Sequence, residues 1–162
     1  MSNVIVNRVK EFLKRFPPFT FLSDATLGLV AKEVEVKYYA EGEYLFRQGD
    51  AAQNAFFVLK EGIVQLAEQR EEGERVVEVC DEGDVFGVLA LLGKRPYILN
   101  AQAKEDSLVY AIPVGVFEKI LEENSRVSLY FAAGFASGQV VVRSDLSQSQ
   151  KARSEFKELS ND

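Results

Sequence analysis

Apolar positions recur along this chain at two spacings, and the change from one to the other marks its architecture. Over residues 3 to 14 they fall three and four apart, placing Val6, Val9 and Leu13 on one face of a predicted helix. Phe16-Pro17-Pro18-Phe19 ends that helix, because proline disfavours helical geometry in the residue before it. Ser23 and Asp24 then offer an N-cap to a second helix, which reaches about Lys32 with Leu27, Val30 and Ala31 inward.

From Val34 the period becomes two. Val34, Val36 and Tyr38 alternate with Glu35 and Lys37, the pattern of a half-buried strand. Short apolar segments follow at close spacing, broken by Glu41-Gly42, Gln48-Gly49-Asp50, Glu61-Gly62, a charged tip around Gly73, and Glu82-Gly83-Asp84. Ile98 to Ala103 and Leu108 to Ile112 read as two more strands. About eight short strands with no room for helices between them predict an antiparallel β-roll or jelly roll rather than a parallel sheet. The fold class is therefore mainly β with flanking helices.

Helical spacing returns at Pro113, a residue suited to a first helical turn, with Val116, Phe117, Ile120 and Leu121 on the apolar face. Asn124-Ser125 makes a break and a new cap, and a last helix is predicted from Arg126 to Arg143. That helix is apolar on more than one side and carries Ala132, Ala133, Gly134, Ala136, Ser137 and Gly138. Surplus apolar surface of this kind predicts a homodimer along Arg126 to Arg143, unless the domain's own N-terminal helices wrap it. The expected organisation is one domain over 1–143, with the roll at about 34–112, the last helices at about 113–143, and a polar tail or linker at 144–162.

Composition removes most chemistries. The 162 residues include no histidine and one cysteine, Cys80. Histidine-based catalysis, an internal disulfide and a thiolate metal cluster are thereby excluded. The acidic residues Glu71, Glu72, Glu74, Glu82 and Asp84 are expected on solvated hairpin tips, where no carboxylate is buried for acid–base work. The reading is no enzyme and no metal. A net charge of -6 argues against a broad nucleic-acid footprint. The tail from Ser144 to Asp162 is too short for a helix-turn-helix, so no DNA partner is expected. The N-terminus lacks the features of a signal peptide, and no stretch matches the ~20 apolar residues of a membrane span. The protein reads as cytoplasmic, with no membrane partner.

The most informative segment is Gly83-Asp84-Val85-Phe86-Gly87-Val88-Leu89-Ala90-Leu91-Leu92, leading through Arg95, Pro96, Tyr97 and Ile98 to Ala103-Lys104-Glu105-Asp106-Ser107. With the earlier glycine turns at their spacing, it resembles the phosphate-binding cassette of the cyclic nucleotide-binding domain family, over residues from about 16 to 143. The resemblance implies a β-roll whose cassette helix and an arginine bind a cyclic phosphate, while an acidic residue binds the ribose. It also implies a last helix that moves with the ligand. A helix N-terminus presents free amides to an anion, and arginine matches a phosphate with a fixed fork of donors. In ungapped register the family's acid falls on Val88 and its arginine on Tyr97. Valine accepts no hydrogen bond, and tyrosine is uncharged near neutral pH.

Phe86, Gly87, Val88, Leu89, Ala90, Arg95, Pro96, Tyr97 and Ile98 are the expected ligand-site residues. Two readings of them stay open. One keeps a site for a cyclic nucleotide or other small, nucleotide-like anion, bound weakly. The other keeps the glycines only for the turns. No further cofactor is implied. The Phe-Pro-Pro-Phe entry and the missing acid and arginine also resemble the N-terminal module of a bacterial signalling family. There this roll precedes paired CBS domains and a nucleotidyltransferase-like region.

Overall fold

The computed structural model describes residues 3–136 and 140–142. Two helices come first, α1 (Asn3–Lys14) and α2 (Asp24–Glu33), joined through a 3₁₀ turn at Phe19–Phe21. Ser23 caps α2 by accepting the Thr26 N–H at 3.1 Å, as its position predicts. Leu27, Val30 and Ala31 are buried, and on α1 the buried face is Val9, Phe12 and Leu13.

Nine strands follow among the described residues: β1 (Glu35–Tyr39), β2 (Tyr44–Phe46), β3 (Ala55–Glu61), β4 (Val64–Arg70), β5 (Gly73–Cys80), β6 (Val85–Phe86), β7 (Asn100–Ala103), β8 (Ser107–Pro113) and β9 (Val141–Val142). A short helix, α3 (Val88–Gly93), lies between β6 and β7, and α4 (Val114–Glu123) and α5 (Ser125–Ala136) lie between β8 and β9. The strands form two antiparallel sheets, ordered β1-β8-β3-β6-β9 and β2-β7-β4-β5. The predicted antiparallel roll with flanking helices, two of them C-terminal, is the observed fold.

Strands β8, β3 and β6 of the five-stranded sheet are covered on both faces, whereas Val36 and Tyr38 on its edge strand β1, expected on a half-buried face, are exposed. Phe56, Val58, Val85, Tyr110 and Ile112 face a core shared with the helices. Phe57, Leu59, Phe86, Val109 and Ala111 face inward against the second sheet. This is why both members of the Phe56-Phe57 pair are fully buried.

Two expectations are corrected here. Asp84 is not on a solvated tip: it is fully buried, and its carboxylate accepts the Asp81 N–H at 2.8 Å. The turn closes on itself through this side chain, so the acid is spent on main-chain geometry. The last helix does not run from Arg126 to Arg143. It ends at Ala136, and Val141 and Val142 pair instead with Phe86 and Val85. β-Branched Val140 to Val142 suit a strand, and the outer edge of β6 offers them a ladder. Ser137 and Gly138 of the expected helix, and the tail at 144–162, lie outside the described residues. No described helix is long and apolar enough to cross a membrane.

Candidate functional site

The cassette begins where β6 must turn sharply into α3. Gly87 makes that turn at φ 80, a left-handed conformation that suits glycine. A side chain there would also collide, since its Cβ would lie 2.9 Å from Cδ2 of Phe57. No side chain caps the start of α3. The helix closes at Lys94, itself left-handed at φ 50, whose N–H reaches back to the carbonyls of Ala90 and Leu91.

Beside the cassette lies a pocket of about 40 Å³. Its floor is Phe46, Leu66 and Leu99, from the interior of the roll. The cassette contributes Gly87, Leu89, Ala90, Tyr97 and Ile98, and Val140 closes it from the C-terminal segment. None of these side chains is charged.

Tyr97 organises the site. It is 4% exposed, and its ring lies flat on Phe46 with centroids 3.7 Å apart and planes 9° from parallel. Its hydroxyl oxygen accepts the Gln53 N–H at 3.0 Å. Its main chain is equally held, with its N–H on the Asp50 carbonyl and its own carbonyl accepting from Gly49. Burial raises the phenol above its ordinary value of about 10, against a lowering by the Gln53 hydrogen bond, and the nearby Asp50 carboxylate raises it further. The side chain is therefore neutral throughout the physiological range. Phe57 and Phe86 extend the stack beneath Phe46.

The structure brings only part of the expected set together. Gly87, Leu89, Ala90, Tyr97 and Ile98 meet around the pocket. Val88 packs with Val85 and Leu91 in the helix-side core instead. Phe86 lies fully buried behind the pocket, within the aromatic stack. Arg95 and Pro96 line a separate groove with Lys94, Gln53, Asn54 and Glu118. The Arg95 side chain folds beside Gly93, where an added Cβ would meet its Nε at 2.7 Å.

Five contributors were not singled out from sequence, four lining the pocket and one behind it. Leu99 was legible by alternation with Tyr97, and Phe46 by its place just before the Gln48-Gly49-Asp50 turn. Leu66 and Val140 carried no such signal. Gln53, which holds the Tyr97 hydroxyl, gave none either.

A family model for the cyclic nucleotide-binding domain matches residues 36–124, more than half of the chain. The chain belongs to the cyclic nucleotide-binding domain family. Among curated proteins it is 34% identical over 87 residues to a cAMP-dependent protein kinase regulatory subunit of Mycosarcoma maydis, which covers 54% of this chain and 16% of that protein. It is 35% identical over 101 residues to the cGMP-dependent protein kinase egl-4 of Caenorhabditis elegans, covering 60% and 13%. The chain thus spans less than a fifth of the length of these two relatives.

Among solved structures, the sensor domain of the transcriptional regulator DNR from Pseudomonas aeruginosa superposes with a TM-score of 0.73 at 24% identity. The match covers 82% of this chain and 89% of that one. The regulatory domain of Toxoplasma gondii PKA with cAMP gives 0.73 at 23% identity, covering 83% and 51%. These two likenesses speak to the fold alone. Cyclic nucleotide-binding regulatory domains are thus what the chain is built like.

Proposed function

We propose that this chain is a non-catalytic regulatory module of bacterial, cytoplasmic signal transduction whose cyclic nucleotide-binding fold has lost its charged grip on the phosphate. cAMP and cGMP then bind weakly or not at all. The observation that carries this reading is that Tyr97 is a buried, neutral, stacked ring, on the residue where the ungapped resemblance expects the family's arginine. Arg95, the nearest cation in sequence, faces another groove. What remains for a phosphate is main-chain amide at the start of α3. Each lost charge-assisted hydrogen bond is worth about 1.5–3 kcal/mol, so losing both weakens binding by about two to four orders of magnitude. Isothermal titration with cAMP and cGMP tests this. No saturable heat below millimolar concentration is expected, and micromolar affinity would overturn the reading.

A second reading, a ligand-free structural domain that dimerises, is favoured by one observation. Leu129 is 68% exposed on α5, beside exposed Ala132 and Ala133. Light scattering across a concentration series, with Leu129→Glu as control, separates dimer from monomer. The small share of each relative that the chain covers fits one module of a longer protein, such as one with CBS and nucleotidyltransferase-like regions.

A further inference from the structure

The pocket beside α3 has a floor, walls and a mouth of one chemical character. Phe46, Leu66 and Leu99 are its floor, and Leu89 and Ala90 form a wall. Ile98, on its rim, is 62% exposed, a large apolar side chain that packing within the domain does not account for. The hydroxyl oxygen of Tyr97 already accepts the Gln53 N–H. An ion entering this space would shed its hydration with no opposite charge to meet, whereas an uncharged ring system would lose nothing comparable.

Size decides what must move. About 40 Å³ holds a few waters, whereas an apolar cavity that binds benzene measures about 150 Å³. Every lining residue but one belongs to the roll or its cassette. The exception is Val140, which follows α5 and is attached through a two-residue ladder, Phe86 to Val141 and Val85 to Val142. So short a ladder is the least costly wall to open.

We propose that this pocket binds a small, uncharged, flat aromatic molecule of one or two fused rings, which enters by displacing Val140 and unpairing β9 from β6. The proposal rests on the reading that the pocket no longer grips a cyclic phosphate. The ligand and Val140 compete for one volume, so occupancy and release of the C-terminal strand are linked reciprocally.

Indole is the probe. The chain contains no tryptophan, so indole excited at the red edge of its absorption, beyond that of the six tyrosines, reports binding through its fluorescence and anisotropy. The full chain is expected to bind indole saturably. Val140→Ala removes part of the competing wall and is expected to tighten binding about tenfold. Ala90→Phe fills the pocket and is expected to abolish binding while circular dichroism stays unchanged. Whichever of the Val141 and Val142 amides donates to β6 is expected to exchange hydrogen faster with indole present.

Non-saturable indole signals in both wild type and Val140→Ala overturn the proposal, as does undiminished binding by a folded Ala90→Phe. Unchanged exchange at Val141 and Val142 despite saturable binding overturns the displacement step. A parallel cAMP titration keeps the two readings apart. Tight cAMP binding sinks the functional reading above, whereas failure of indole with cAMP also silent sinks only this inference.

Discussion

Replacing Tyr97 by arginine places a cation on the residue where the proposed reading expects the family's phosphate-binding arginine. The structure sets the cost in the absence of ligand. The flat stack on Phe46 is lost, worth about 0.5–1.5 kcal/mol beyond area burial. The half-buried Gln53 N–H loses its acceptor, worth about 1–3 kcal/mol. Together Tyr97→Arg is expected to cost about 3 kcal/mol. At roughly 2–4 °C per kcal/mol for a chain of this size, Tm falls by about 6–12 °C. A cyclic phosphate then has a guanidinium to meet. Ligand at a hundredfold excess over Kd returns about 2.7 kcal/mol, so cAMP is expected to recover most of the loss in the variant while leaving wild type unmoved. Val88 is best left alone, because a glutamate there would carry an unpaired carboxylate into the helix-side core. Thermal melting with and without cAMP reads both effects. A variant that melts with wild type would show that the Tyr97 ring supports nothing. A destabilised variant indifferent to cAMP would show that the missing cation is not what excludes the nucleotide.

Tyr97→Phe keeps the stack but orphans the Gln53 N–H, so urea unfolding should show a loss of about 1–2 kcal/mol at neutral pH. Burial raises Tyr97, Tyr110 and Tyr130 in the fold, so the folded chain holds these protons more tightly than the unfolded one. Their contribution is complete below the ordinary tyrosine value of about 10 and is lost as pH rises through the raised values. Stability should therefore fall above about pH 10, and less steeply in Tyr97→Phe; a flat alkaline profile would contradict this. Gly87→Ala forces a left-handed alanine against Phe57 and should lose about 2 kcal/mol in chemical denaturation. Asn124 joins α5 to the N-terminal layer, accepting the Val127 N–H and donating to the Phe21 carbonyl. Asn124→Ala is expected to cost about 1–2 kcal/mol by the same measurement.

Local signals along the chain were sufficient for the elements and for the family. Glycines at the expected turns take positive φ at residues 42, 49, 62, 73, 83 and 87, and period-two segments between them become strands. Proline and cap residues mark the starts of α2, α4 and α5 to within a residue or two, and Asn124 caps α5 as its position suggests. These features depend on backbone preference and neighbours in sequence, which a reader of residues can see.

What sequence left undecided depends on which surfaces meet. Alternation shows that a strand has two faces, but not whether both are covered, so Phe56 and Phe57 needed the helix layer and the second sheet to be placed. The same is true of Asp84, an acid that reads as solvated until its own turn folds over it. Cassette residues adjacent in sequence diverge in space: Val88 goes to the helices, Tyr97 to the roll, Arg95 to an outer groove. Val140 to Val142 have enough apolar character for either helix or strand. The unpaired edge of β6, created by strands far away in sequence, decided between them and set Val140 over the pocket.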